Sequence, residues 1–164
     1  MTLTDTDLIH LRRCVELARE ALEHGDMPFG SLLVGADGTV LLEERNQEGA
    51  GDATRHPELA LATWAGAHLA PAERAGATAY TTGEHCAMCS AAHGWVGLGR
   101  IVVAVRATQL TEWLDGWGEP APPVATLPIE QVVPGVVVDG PAPELADEMQ
   151  ALHGARVERD RARR

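Results

Sequence analysis

The sequence predicts a three-layer α/β/α domain on a five-stranded mixed sheet, and three observations carry that prediction. The apolar pattern alternates between helical and strand periods in the order α-β-β-α-β-α-β-loop-β-α, with no internal repeat. The run Arg100 to Arg106 (RIVVAVR) is continuously apolar between its charged ends, as in a strand buried on both faces of a parallel sheet. The length, 164 residues, suits one domain, so residues 1–164 are expected to fold as a single unit.

Each element follows from local signals. Leu8, Leu11, Val15, Ala18 and Leu22 recur at helical spacing, with Thr4 or Asp5 as cap and Gly25 as stop. Ser31 to Val34 and Val40 to Glu43 are two short strands joined by Ala36-Asp37-Gly38. His56 to Leu69 is a helix with Pro57 in its first turn and Pro71 after its end. Ala77 to Thr82 is a strand, and Cys86 to about Leu98 a helix. Val136 to Asp139 is the fifth strand, and Glu144 to His153 the last helix. Thr108 to Leu127, with Pro120, Pro122 and Pro123, reads as a long loop, and loops of that length tend to be functional.

Composition excludes several chemistries. Thirteen basic against 24 acidic residues leave a net charge of −11, which repels phosphate, so a sequence-independent nucleic-acid binder is not expected. All basic residues are Arg. Without Lys there is no Schiff base, no pyridoxal-phosphate enzyme and no Walker phosphate loop. The only serines, Ser31 and Ser90, lie outside any nucleophile elbow. No apolar run reaches the roughly 20 residues of a membrane span, and Met1 to Asp7 lacks the features of a signal peptide. Three Cys do not make a disulfide framework, and the expected location is cytoplasmic.

The chemistry concentrates at two helix starts, His56-Pro57-Glu58 and Cys86-Ala87-Met88-Cys89. Cysteines at i and i+3 share one helical face, and a helix N-terminus favours their thiolate forms. With His56 they make a three-ligand N/S set suited to Zn²⁺, leaving a fourth position for water. Glu58, two residues beyond the His, is placed to move that water's proton. Taken alone, Cys-x-x-Cys also fits a redox pair or a closed structural site, for which Cys14, His85 and His93 are the candidate fourth ligands.

The paired pattern resembles the cytidine deaminase superfamily, whose signature is H-x-E followed by P-C-x-x-C. Here His56-x-Glu58 precedes Cys86-x-x-Cys89, with Cys86 28 residues after Glu58. Pro28-Phe29-Gly30-Ser31 is similar to the family's P-F-G-A segment, Asn46 falls at its substrate-binding Asn, and Thr81 to Cys86 matches the strand entering the metal helix. The resemblance spans residues 5 to 106. Pro57 replaces the usual Ala, and His85 the usual Pro. The resemblance implies a cytidine-deaminase-like fold with one Zn²⁺ per chain carrying a water or hydroxide, ligands His56, Cys86 and Cys89, and Glu58 as proton shuttle. It also implies hydrolytic deamination with release of ammonia, and a homodimer.

A His as first ligand resembles the branch of nucleobase, deoxycytidylate and transfer-RNA adenosine deaminases. The expected substrate is a free nucleobase or related ring: guanine, cytosine, isocytosine or an amino-s-triazine. Phe29, Asn46, Glu84, Glu112 and Trp113 are the candidate substrate contacts, the last two on the segment Thr111 to Trp117 that closes over the base in relatives. The alternatives are a transfer-RNA adenosine deaminase, which requires a basic face that only the C-terminal Arg156, Arg159, Arg161, Arg163 and Arg164 offer, and a zinc-binding scaffold without catalysis.

Overall fold

Helix α1 (Asp5–Glu23) starts at a capping box in which Asp7 N–H donates to Thr4 Oγ1 and Thr4 N–H to Asp7 Oδ2. The computed structural model describes residues 3–163; Met1, Thr2 and Arg164, on which parts of the signal-peptide and Arg-cluster readings rest, lie outside them. After α1 come β1 (Gly30–Val34), β2 (Val40–Arg45), a 3₁₀ turn (Glu48–Ala50) and α2 (Pro57–His68). Then follow α3 (Pro71–Gly76), β3 (Thr78–Gly83), α4 (Ala87–Val96), β4 (Ile101–Val105) and α5 (Ala107–Gly116). A single turn, α6 (Ile129–Val132), β5 (Val138–Asp139) and α7 (Pro143–Ala162) complete the order.

The five strands form one mixed sheet in the order β2-β1-β3-β4-β5. β1 is antiparallel to both β2 and β3, whereas β3, β4 and β5 run parallel. Alternation along the strands splits the core in two. Leu32, Val34, Tyr80, Val102 and Ala104 face Leu11, Val15, Ala18, Leu145 and Met149 of α1 and α7. Leu33, Ala79, Ile101 and Val103 face Leu61, Ala62 and Ala65 of α2, with Leu98 and Ile129. The predicted layers and sheet are present. No helix among the described residues is long and apolar enough to cross a membrane.

Three local readings are corrected. The loop expected over Thr108 to Leu127 begins as helix α5. Leu110, Trp113, Leu114 and Trp117 lie at i, i+3, i+4 and i+7, a periodicity masked by the prolines beyond Gly118. Pro71 ends α2 and also opens α3, where Glu73 caps the Ala70 N–H at 2.7 Å. The last helix runs past Gly154 to Ala162, because Trp117 packs over Gly154 and the arginines beyond it find partners.

Opposite the functional end of the sheet, Arg100 grips Asp7 bidentately (2.7 and 3.1 Å) and Asp139 through Nε (2.7 Å), while Tyr80 O–H donates to Asp7 at 2.9 Å. Burial pushes the Asp7 carboxyl up, but Arg100, Thr4 and Tyr80 outweigh it and hold the group well below the usual carboxylate range. A depressed folded pKa stabilises fully above the unfolded value of about 3.9, and that contribution is lost as pH falls through the folded value. Asp7→Asn is therefore expected to cost on the order of 2–4 kcal/mol at pH 7. In urea denaturation the gap between parent and variant should begin to narrow as pH falls below about 4 and go on narrowing toward the folded value.

Candidate active site and metal centre

The site forms where β3 ends and α2 and α4 begin, at the carboxyl ends of the parallel strands. His56 is the N-cap of α2 and Cys86 the N-cap of α4, both in extended backbone. Pro57 occupies the first helical position, where its missing N–H costs nothing, and it restricts His56 to the extended conformation the cap requires. The departure from the family's Ala is thus compatible with the local geometry.

His56 Nδ1 lies 3.6 Å from both Cys86 Sγ and Cys89 Sγ, and the two sulfurs are 3.6 Å apart. An ion bound tetrahedrally, with Zn–S near 2.3 Å and Zn–N near 2.0 Å, sets S···S at about 3.8 Å and N···S at about 3.5 Å. The triangle fits that ion without rearrangement. Among the described residues Cys14, His85 and His93 do not join the group. Cys14, on α1, is buried in the core, and His93 donates from Nε2 to the Gly99 carbonyl at 3.0 Å. His85, in place of the usual Pro, is buried edge-on against His93 at 5.3 Å. The group able to hold an ion is thus His56, Cys86 and Cys89.

The electrostatics fit a cation. Hydrogen bonds from Cys89 and His56 lower the Cys86 thiol to about 4, and Cys86 and then Glu48 raise His56 to about 10.

Glu58 is 5% exposed in the first turn of α2, where the helix N-terminus favours a carboxylate. Its Oε1 accepts from Thr81 Oγ1 at 2.9 Å, and Ser31 Oγ donates in turn to Thr81 Oγ1 at 2.9 Å. Its Oε2 is 3.9 Å from Cys89 Sγ, so one oxygen is tethered and the other borders the metal triangle. Burial raises the Glu58 pKa. Thr81→Val removes the tether while preserving shape. The expected result is a roughly tenfold lower kcat at unchanged KM and zinc content, with Thr81→Ser close to the parent in the same steady-state assay.

The candidate substrate contacts divide. Phe29 stands at this end, its ring against Gly83, where a Cβ would come within 2.8 Å, and 5.0 Å from His153. Asn46 is fully buried, its Oδ1 accepting from the Glu48 and Met27 N–H groups and its Nδ2 donating to Glu48. Glu84 is also committed: its two oxygens accept the first N–H groups of α5 (Ala107) and α6 (Ile129), each at 2.9 Å. Trp113 packs on the α1 and α7 side of the core, and Glu112 is exposed on α5. Thr81, Ser31 and Glu48 were missed. Ser31 carried a signal, a hydroxyl in an apolar strand at a position where the family has Ala.

A His/Cys/Cys triangle with a buried carboxylate beside it, on an α/β/α sheet, is an arrangement suited to zinc-assisted hydrolysis. Residues 4–105 match the cytidine and deoxycytidylate deaminase zinc-binding region. A "probable cytosine deaminase" of Schizosaccharomyces pombe is 30% identical over 142 residues, covering 80% of this chain and 86% of the relative. A "tRNA-specific adenosine deaminase" of Agrobacterium fabrum is 35% identical over 85 residues, covering 51% of this chain and 55% of that one. The guanine deaminase of Nitrosomonas europaea has a similar fold, with a TM-score of 0.68 at 19% identity over 96% of this chain and 87% of that one. The chain belongs to the cytidine and deoxycytidylate deaminase family and is a zinc-dependent deaminase.

Proposed function

We propose that the protein, as one domain over residues 1–164, hydrolytically deaminates a free nucleobase or related amino-substituted ring: guanine, cytosine, isocytosine or an amino-s-triazine. The observation that carries this reading is the buried Glu58, tethered through one oxygen and facing the His56–Cys86–Cys89 triangle with the other. A scaffold has no use for a carboxylate buried at that cost. His56, Cys86 and Cys89 would hold the zinc, which would supply the Lewis acidity that makes water a competent nucleophile at neutral pH. Glu58 accepts the proton of the attacking water and delivers it to the ring nitrogen beside the carbon under attack. It then takes the proton of the newly attached hydroxyl and passes it to the departing amine; the C–N bond breaks, ammonia leaves and the hydroxyl oxygen remains as a carbonyl. Phe29 walls the base-binding side.

The nucleobase class is supported by the cytosine deaminase likeness over most of both chains. The likeness to a transfer-RNA deaminase covers about half of each. Among the described residues, three of the arginines that an RNA reading requires are engaged within the fold. Arg156 pairs with Glu119 at 2.8 Å, Arg159 donates to the Leu22 and Asp26 carbonyls, and Arg161 to the Trp117 carbonyl. The test is ammonia release by zinc-loaded protein on guanine, cytosine, isocytosine, adenine, their nucleosides and amino-s-triazines. Turnover of a free base supports the proposal. Silence on the whole panel, with turnover of transfer RNA, overturns it.

The same reading includes a cytoplasmic homodimer. Trp95 on α4 is 90% exposed, and α2 carries a groove of about 490 Å³ lined by Arg55, Leu59, Thr63, Trp64 and His68. In a two-fold pair, Trp95 of one copy seats in the groove of the other. Sedimentation at micromolar concentration is expected to give a dimer for the parent and a monomer for Trp95→Ala; a parent that sediments as a monomer removes this assignment.

A further inference from the structure

One oxygen of the Glu48 carboxylate, Oε1, accepts a hydrogen bond from Asn46 Nδ2 at 2.6 Å and lies 3.1 Å from His56 Nε2. We infer that Glu48 is a positioning residue that fixes the ring and tautomer of the metal ligand His56 and locks it to Asn46. The inference rests on the zinc-site reading above and concerns how this chain builds that site.

A carboxylate only accepts, so the His56 nitrogen facing Glu48 must carry the hydrogen. The neutral ring then has its lone pair on Nδ1, the atom that lies 3.6 Å from both sulfurs. The outer partner of a metal-bound imidazole thus selects the atom that ligates and the plane in which it points. Asn46 is clamped by the same residue from two directions. Its Oδ1 accepts the Glu48 backbone N–H at 3.0 Å while its Nδ2 bonds the Glu48 carboxylate, so the amide cannot flip without losing both bonds. Asn46 N–H in turn donates to the Phe29 carbonyl at 2.9 Å, which joins the metal ligand to the segment that carries Phe29.

The turn holding Glu48 is built to keep it there. The Gly49 N–H donates to Asp26 Oδ1 at 2.7 Å, and Arg45 holds the other Asp26 oxygen at 2.6 Å. A Cβ at Gly49 would come 2.7 Å from Asp26 Oδ1, so glycine is the residue that permits this approach. Glu48, Asn46 and Asp26 thus form a brace behind His56, while Cys86 and Cys89 approach it from the other side.

The test is zinc affinity, measured by chelator competition on the whole chain without substrate. Glu48→Ala is expected to bind zinc about 10- to 100-fold more weakly than the parent. Glu48→Gln keeps an oxygen that accepts both bonds but loses the charge, and is expected to lose about three- to tenfold. Long-range ¹H–¹⁵N spectra of the zinc-loaded proteins should show hydrogen on His56 Nε2 in the parent and in Glu48→Gln. The zinc-free proteins should melt within a few degrees of one another. Glu48→Ala affinity within twofold of the parent overturns the inference, as does an affinity loss matched by equal destabilisation of the zinc-free fold. If Glu48→Ala does not fold, Glu48→Gln decides: affinity within twofold of the parent overturns the inference. Failure of the substrate panel leaves this result standing. A parent that binds no zinc removes both readings.

Discussion

Glu58→Gln is expected to lower kcat by about 10⁴-fold while the protein stays folded and carries one zinc per chain. The figure lies at the upper end for a general acid–base group because one carboxylate serves twice, taking a proton from water and giving it to the leaving amine. The amide preserves shape and still accepts from Thr81, so loss of ligand geometry is not the cause. It also removes an acid whose pKa is raised by burial, and the variant should be at least as heat-stable as the parent. Steady-state ammonia release and metal analysis on the same preparation check both halves. Undiminished turnover in the variant would remove Glu58 from the mechanism.

The second large effect is at Cys89, buried in the first turn of α4. Cys89→Ala deletes one of three protein ligands, and two remaining ligands do not retain zinc against a chelator. The expected outcome is substoichiometric metal, activity below detection and a melting temperature indifferent to chelator. The parent's melting temperature is expected to fall when zinc is stripped, because a ligand bound only by the folded state stabilises it by an amount that grows with the logarithm of free ligand concentration over Kd. A Cys89→Ala protein that keeps full zinc would assign that metal to other residues.

What was legible in the sequence follows the range of the interactions. His56, Glu58, Cys86 and Cys89 were legible because a helix start is local: i and i+3 cysteines share a face whatever surrounds them. The sheet was legible for the same reason, since alternation in Leu32, Leu33 and Val34 assigns each to a layer before the layers are seen. The substrate-side residues were not, because their role depends on what reaches them across the fold. Nothing local to Glu84 says that the N–H groups of Ala107 and Ile129 arrive at its oxygens. Asn46 falls at the family's position, yet the bonds to Glu48 and Met27 that occupy it arise from a turn and a second segment. The Ser31–Thr81–Glu58 chain joins residues 50 and 23 positions apart; β1–β3 pairing brings Ser31 to Thr81, and α2 brings Glu58. Helix α5 was readable at four apolar positions, but the prolines that follow led the whole segment to be taken as a loop.

The measurement that tests the central claim most directly is X-ray absorption at the zinc edge of the loaded protein. The account expects two sulfurs at about 2.3 Å and two nitrogen or oxygen neighbours at about 2.0 Å, one from His56 and one from solvent. Three or four sulfurs, or a shell of nitrogen and oxygen alone, would contradict a three-ligand site of His56, Cys86 and Cys89 open to water.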